Sequence, residues 1–161
     1  MSKVRIEGIH PGFSTLGMNR TVVSIDLTSA TWNTLASHEV FTVTGLVRCL
    51  VFWRITEGFA GIGASVQFGR EGATSEYALS SVVGNFTAGT FVIPGGTVAT
   101  NDEAGNFLNS ATLDADMLLD GLDIGYEITG AALTDGTIQA ICFWTPISPD
   151  GAVVAGAGGV L

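Results

Sequence analysis

The clearest pattern in the chain runs from Glu39 to Ile55, where apolar residues recur at alternate positions. From position 47 onward, one set of alternate positions is entirely apolar: Val47, Cys49, Val51, Trp53 and Ile55. Because successive side chains of an extended chain point to opposite sides, this set predicts the buried face of a β-strand. Residues 39–44 are rich in β-branched and aromatic side chains and Gly45 follows them, so the sequence predicts a hairpin with its turn there.

A second strong strand is predicted from Thr137 to Thr145. Its inward positions are Ile138, Ala140, Cys142 and Trp144. We therefore expect Trp53 and Trp144 to lie in the same core.

The outward sides of these two strands mix apolar and cationic residues, which is unusual for a surface that only meets water. If the strands are neighbours, these residues form one patch, and apolar, aromatic and arginine residues together are typical of interfaces. The alternative is that a further layer of the same chain covers them. The interface candidates are Leu46, Arg48, Leu50, Phe52, Arg54, Ile141 and Phe143.

The remaining pattern also indicates strands. Residues 21–28, 62–68 and 91–93 alternate or form short apolar runs, and Glu57-Gly58 is predicted to turn the chain. Residues 74–83 fit a short helix as well as a strand, and residues 124–129 are typical of an edge strand. The prediction is an all-β protein, an antiparallel β-sandwich or jelly roll of about seven or eight short strands, with a barrel left open.

The length of 161 residues predicts one domain. We divide it into an extended N-terminal arm (1–20), a β-sandwich core (21–146) and a Gly/Ala-rich C-terminal tail (147–161). The arm and the tail lack an evident internal partner, so we expect them to become ordered on adjacent subunits.

Composition narrows the function classes. Hydrophobic residues make up 47% of the chain and charged residues only 13%, about half the usual charged share, which favours a protein that buries surface at interfaces. The net charge of −9 disfavours nucleic-acid binding. The densest apolar run contains Arg48 and is too short for a membrane helix, and the N-terminus has no apolar segment of a secretory signal.

No pattern of catalytic or metal-binding residues stands out. An acidic segment could suggest a calcium site, but its spacing does not match the EF-hand loop; its residues are Asp114, Asp116, Asp120 and Asp123. His10 and His38 lie outside any catalytic motif, and Cys49 and Cys142 are predicted to be buried, reduced thiols. We therefore predict no enzyme activity, no metal and no cofactor.

Two segments of the sequence resemble a known protein family. His38 to Arg48 reads HEVFTVTGLVR, and residues 130–151 read GAALTDGTIQAICFWTPISPDG. Both resemble small β-rich virion proteins of tailed bacteriophages, a group that includes capsid decoration or cement proteins, head fibres and tail components. The resemblance implies a non-enzymatic structural role, and it transfers no functional residues because the shared residues are those of strands and turns.

On this basis the sequence predicts a capsid decoration protein on the exterior of the virion, assembled in the host cytoplasm. Its expected partners are itself, as a homo-oligomer with a trimer favoured, and the major capsid protein; neither nucleic acid nor a membrane is expected. The alternatives are a tail or baseplate structural protein and a carbohydrate- or receptor-binding β-sandwich module. The latter requires exposed aromatic platforms.

Overall fold

A computed structural model describes residues 18–93, 97–99 and 117–161. These residues form two antiparallel sheets that pack face to face, which confirms the predicted β-sandwich. The described part contains eleven strands rather than seven or eight, and its single helical element is the 3-10 turn Val83–Asn85. Residues 1–17, which include most of the predicted arm, lie outside the described part.

The strands divide into sheet A and sheet B. Sheet A has the order β1-β10-β3-β6-β7, and β8 pairs with β3 beside β6; its strands are β1 (Asn19–Asp26), β3 (Leu46–Ala60), β6 (Phe91–Ile93), β7 (Thr97–Ala99), β8 (Met117–Asp120) and β10 (Asp135–Pro146). Sheet B has the order β11-β2-β9-β4-β5; its strands are β2 (Ser37–Thr44), β4 (Ser65–Arg70), β5 (Ala73–Val82), β9 (Ile124–Thr129) and β11 (Ala152–Ala155).

The core lies between the sheets and is centred on Trp53, which is fully buried as predicted. Its ring centroid lies 4.8 Å from that of Phe68 and 6.3 Å from that of Phe41, both in sheet B. Trp144 is only half-buried and packs against the edge of this core. The prediction for Trp144 was therefore too strong, because near the end of β10 its indole N–H donates to Thr21 Oγ1 at 3.0 Å.

The predicted hairpin at Gly45 is wrong, since β2 belongs to sheet B and β3 to sheet A. Gly45 has a φ of +56°, the left-handed conformation that glycine adopts most easily, and there the chain crosses between the sheets. Leu46 N–H donates to Ser148 Oγ at 2.8 Å. Both strands place an apolar side in the same core, and the alternation alone does not distinguish facing strands from paired ones.

Two further expectations are corrected. The chain does not turn at Glu57-Gly58, because β3 continues through a bulge there to Ala60; the turn comes at residues 61–63, where Ile62 is fully exposed. β9 is the central strand of sheet B rather than an edge. The ambiguous segment 74–83 is almost entirely strand β5.

The C-terminal tail has a partner within its own chain. β11 pairs with β2, and Val153 is buried. Beyond β11, the Gly156 N–H donates to the Val40 carbonyl at 2.8 Å, and the Glu39 N–H donates to the Gly159 carbonyl at 2.8 Å. The expectation that the tail becomes ordered only on an adjacent subunit is therefore wrong.

Candidate functional site

The structure brings the predicted interface residues together on the outward side of sheet A. β3 and β10 are adjacent, with Phe52 opposite Ile141 and Leu50 opposite Phe143. The Phe52 and Phe143 rings meet edge to face, with centroids 6.1 Å apart and planes at 83°. The two strands, which are distant in the sequence, thus form one continuous outward surface.

Neighbouring strands widen this surface with residues that the sequence analysis missed. β1 contributes Arg20 and Val22, which lie opposite Phe143 and Ile141 in the β1–β10 register. We call this surface the aromatic–arginine face: Arg20, Val22, Leu46, Arg48, Leu50, Phe52, Arg54, Phe91, Leu118, Ile141 and Phe143. The alternation in β1 could have placed Arg20 and Val22 outward, but no sequence signal placed β1 beside β10.

The aromatic–arginine face is open to solvent in the described part of the chain. Val22 is 38% exposed and Leu118 is 66% exposed, while Phe52 and Phe143 are half-buried. Every described strand belongs to sheet A or sheet B, so none of them forms a third layer on this face. A further layer of the same chain, the alternative raised above, is not observed among these strands.

Positive charge is concentrated on this face. The chain has six basic residues, and Lys3 and Arg5 lie outside the described part, which leaves four arginines. Three of them lie on the aromatic–arginine face: Arg20, Arg48 and Arg54. The fourth, Arg70, forms an ion pair with Glu76 in sheet B. The exposed carboxylates Asp26, Glu57 and Asp120 lie on the same outward side of sheet A, so this side carries both signs of charge among its apolar residues.

The outward side of sheet B is different. Glu127 Oε2 accepts hydrogen bonds from Gln67 Nε2 and Thr74 Oγ1, both at 2.6 Å, and Thr42 Oγ1 donates to Glu39. We call this surface the polar face: Ser37, Glu39, Thr42, Ser65, Gln67, Thr74, Glu127 and Thr129. Its polar groups are paired with one another or reach water.

The acidic segment does not assemble a metal site in the part of the chain that the structure describes. Asp120 is exposed, and Asp123 Oδ1 accepts the Val43 N–H at 2.7 Å. Burial raises the pKa of Asp123, and the nearby Glu39 and Glu71 carboxylates raise it further. No group of three or more potential ligands lies together among the described residues; Asp114 and Asp116 lie outside them.

His38 lies in a structural environment. It is buried, its Nε2 lies 3.0 Å from the Thr34 carbonyl oxygen, and its ring packs against Tyr126 with centroids 5.1 Å apart.

Cys49 and Cys142 are free, buried thiols, as predicted. The hydrogen bond with Cys49, together with burial, raises the pKa of Cys142, so that thiol is not activated as a nucleophile. His10 lies outside the described residues.

A cleft of about 230 Å³ opens between β5 and β8. It is lined by Arg70, Glu76, Tyr77, Met117, Leu118, Leu119 and Leu122. The Tyr77 hydroxyl is buried with no hydrogen-bond partner in the described part, and burial strongly raises its pKa, so it stays protonated. The described residues that line the cleft include no histidine, cysteine or serine.

None of the three tryptophans presents a broad exposed ring. Trp53 is fully buried, and Trp32 and Trp144 are half-buried against the core. Carbohydrate-binding sandwiches need an exposed aromatic platform, and these side chains do not supply one.

Comparisons with known proteins give no match: no family model, no curated protein and no solved structure is similar to this chain. The described residues also contain no helix long and apolar enough to cross a lipid bilayer. Any function is therefore argued from the two outward faces themselves.

Proposed function

We propose that the chain is a non-enzymatic structural protein of a tailed-phage particle, a capsid decoration protein that buries its aromatic–arginine face against neighbouring subunits. The observation that carries the proposal is that face, on which Phe52, Phe143 and Val22 lie among three arginines. We name a phage particle because two sequence segments, residues 38–48 and 130–151, resemble phage virion proteins.

The physical support comes from the chemistry of the face. Aromatic and arginine side chains contribute strongly to protein interfaces because they bury a large area and make several contacts at once. The two-sheet framework holds these side chains in a fixed arrangement before binding, which lowers the entropic cost of association. A shared lattice then multiplies a modest contact, since many copies bind side by side.

The charge of the chain supports a location outside the capsid shell. With a net charge of −9, the protein is repelled by packaged nucleic acid. The polar face, in which Glu127 and Glu39 are hydrogen-bonded by their neighbours, is suited to remain in contact with water. The major capsid protein and further copies of the chain are the proposed partners.

The test is co-sedimentation with capsids that lack the protein, comparing wild type with Phe52→Glu and Val154→Glu. Phe52 lies on the aromatic–arginine face, and Val154 is an exposed residue of β11 on the opposite side of the molecule. We expect Phe52→Glu to abolish capsid binding and Val154→Glu to retain it, because only the first buries an unpaired charge in the contact.

Wild-type protein that does not bind such capsids would contradict the proposal. Antibody labelling of intact virions in electron micrographs gives the location independently. Label on the tail or baseplate, with none on the head, would replace the decoration function by that of a tail structural protein.

A further inference from the structure

We infer that the chain forms a dimer in which strand β1 pairs antiparallel with β1 of a second copy, joining two copies of sheet A edge to edge. The support comes from the unpaired edge of β1 and from the order of charges along that strand. The pairing leaves the aromatic–arginine face uncovered, so that face stays available to the partner proposed for it. Only the use of the dimer on a capsid rests on the proposed function.

β1 is an edge strand of sheet A. It pairs with β10 along all eight of its residues, with no bulge in the register. The Leu27 N–H donates to the Gly136 carbonyl at 2.9 Å, so the backbone groups of the odd-numbered residues of β1 point toward β10. Because backbone groups alternate sides along a strand, those of the even-numbered residues point to the opposite edge. These residues are Arg20, Val22, Ser24 and Asp26.

The edge-facing backbone groups of β1 are available to another strand. Among the described residues, none forms a hydrogen bond with these groups of Arg20, Val22 or Ser24. β11 contacts β1 from the inward side, where Thr21 Oγ1 donates to the Val153 carbonyl at 2.8 Å, and this contact does not use the edge. A row of unpaired N–H and C=O groups is a template for pairing with a further strand.

The described strands at the other ends of the two sheets are less suited to such pairing. β7 and β11 are only three and four residues long. The pairing of β5 with β4 shifts register twice, and such irregularities disturb the regular ladder that a further strand needs. β1 has eight residues, no proline and no bulge, and four of its residues are β-branched, which favours strand pairing.

The charges of β1 fix the register of the pair. Arg20 and Asp26 are its only charged residues, and both are exposed. If Val23 lies on the two-fold axis, Arg20 lies opposite Asp26 of the second copy, and symmetry makes this pair twice. Val22 then lies opposite Ser24, and each of these even-numbered pairs exchanges two backbone hydrogen bonds. An axis at Val22 or at Ser24 would place an uncharged residue opposite each charge.

Both charged side chains are available for this contact. Arg20 forms no ion pair or hydrogen bond with any described residue. The Asp26 carboxylate uses one oxygen within the chain, since Oδ1 accepts the Thr28 N–H at 2.8 Å and the Thr28 hydroxyl at 2.6 Å. Its Oδ2 atom therefore remains for Arg20 of the second copy. The Asp26 carbonyl oxygen accepts the Ser29 N–H at 3.2 Å and has a second lone pair for the new ladder.

The other charges of sheet A either favour this arrangement or lie far from the edge. Asp135, at the start of β10, lies at the same end of β1 as Asp26 and adds negative charge near Arg20 of the second copy. Asp120 on β8 lies three strands from β1, roughly 14 Å. The charged residues of β3 on the outward side lie two strands away, roughly 10 Å; they are Arg48, Arg54 and Glu57.

The symmetry of this dimer suits attachment to a surface. A two-fold axis between neighbouring antiparallel strands is perpendicular to the sheet, so the aromatic–arginine faces of both copies point in the same direction. A dimer on a capsid would then bind through two faces at once, which strengthens attachment without a new type of contact. The pairing gives a dimer, whereas the sequence analysis favoured a trimer.

The first experiment measures the oligomeric state of wild type, Ser24→Pro and Ser24→Ala by sedimentation velocity over a dilution series. The Ser24 N–H faces the edge, so proline removes a donor to the second copy without removing a hydrogen bond to β10. We expect a dimer for wild type and Ser24→Ala, and a monomer for Ser24→Pro that urea unfolding shows to be folded. A wild-type monomer, a wild-type trimer or a dimeric Ser24→Pro variant would overturn the inference.

The second experiment tests the register by disulfide formation with oxidised glutathione. Val23→Cys should link two copies, because residues facing each other on the axis have Cα atoms about 4.5 Å apart. Ser24→Cys is the matched control: it is more exposed than Val23, but the two equivalent Cα atoms lie roughly 8 Å apart, too far for a disulfide. Wild type should stay unlinked because Cys49 and Cys142 are buried. No link at Val23→Cys, or an equal link at Ser24→Cys, would contradict the register.

The third experiment exchanges the charges across the axis. Arg20→Glu and Asp26→Arg should each raise the dimer dissociation constant roughly tenfold, because symmetry repeats the like-charge contact. The double variant should restore dimerisation, since opposite charges face each other again, and urea unfolding of each variant checks the fold. A double variant as weak as the single variants would contradict the proposed pair.

Failure here is distinguishable from failure of the proposed function. Phe52 lies on β3, two strands from the edge, so Phe52→Glu should remain a dimer while it loses capsid binding. A wild-type monomer that binds capsids would overturn the pairing and leave the decoration function supported. A wild-type dimer that does not bind capsids would support the pairing and contradict the decoration function.

Discussion

The two outward faces of the sandwich cover one core but differ in their exposed groups, which are mainly hydrogen-bonded polar groups on one face and partly apolar side chains on the other. On the polar face, Gln67 and Thr74 both donate to the Glu127 carboxylate, so its Oε2 atom is hydrogen-bonded within the chain. On the aromatic–arginine face, Phe52 and Phe143 contact each other but leave apolar surface in water. A face that satisfies its own groups is suited to solvent, and a face with exposed apolar surface gains stability when another surface covers it.

Breaking the shared core should affect both faces equally and should produce the largest effect. Trp53→Ala removes a fully buried ring that contacts Phe41 and Phe68 of sheet B. We expect the free energy of unfolding to fall by about 3–5 kcal/mol, since the cavity cannot close completely. Chemical denaturation measures this loss.

Trp144→Ala is the matched control for that experiment. Trp144 is half-buried at the edge of the core and keeps one hydrogen bond to Thr21. We expect a smaller loss than for Trp53→Ala, because water can enter the vacated space. Equal losses would mean that Trp144 contributes to the core as fully as the sequence analysis predicted.

The contrast between the faces also shows what the sequence revealed. Alternation in β3 and β10 correctly separated inward from outward residues, because that property depends only on the two-residue period of a strand. The mixed composition of the outward positions then indicated the interface candidates, which β3 and β10 do bring together.

Strand partners were harder to predict, since pairing depends on distant parts of the chain. Gly45 was expected to close a hairpin, yet its two strands lie in opposite sheets. Likewise, nothing local indicated that β1 would add Arg20 and Val22 to the face, or that β11 would bind β2. The small side chains of the tail gave no strand pattern in the sequence, because β11 is held on β2 mainly by backbone hydrogen bonds.

The next largest loss of stability is predicted for a substitution on the polar face. Glu127→Ala leaves Gln67 and Thr74 without their shared acceptor on a partly buried surface. We expect the free energy of unfolding to fall by about 1–2 kcal/mol, which is typical of hydrogen bonds to a charged group near solvent. Urea denaturation measures the loss, and sedimentation should show unchanged self-association. A variant that dissociates would assign part of the contact to the polar face.

The contrast between satisfied and unsatisfied groups recurs inside sheet B, in two buried tyrosines. The Tyr126 hydroxyl donates to the Trp32 carbonyl at 2.6 Å, whereas the Tyr77 hydroxyl has no partner in the described part of the chain. We expect Tyr126→Phe to lower the free energy of unfolding by about 1 kcal/mol, and Tyr77→Phe to leave it unchanged or raise it slightly. Equal losses in urea denaturation would show that Tyr77 has a partner.

The smallest predicted effect concerns pH and Asp123, which directly precedes β9 of sheet B. Burial, together with the neighbouring Glu39 and Glu71 carboxylates, holds the pKa of Asp123 above its ordinary value of 3.8. A carboxyl group whose folded pKa is raised favours the folded state below its ordinary pKa, and this contribution is lost as the pH rises through the folded pKa. At neutral pH the ionised Asp123 therefore opposes folding slightly.

Asp123→Asn tests this sign because asparagine stays neutral and can keep an oxygen acceptor for the Val43 N–H. We expect the variant to be more stable than wild type at pH 7, with the difference shrinking toward about pH 4 as Asp123 becomes protonated. Urea denaturation across that range measures the difference. A wild type that is more stable than Asp123→Asn at pH 7 would mean that the Val43 hydrogen bond to a charged acceptor outweighs both burial and the neighbouring carboxylates.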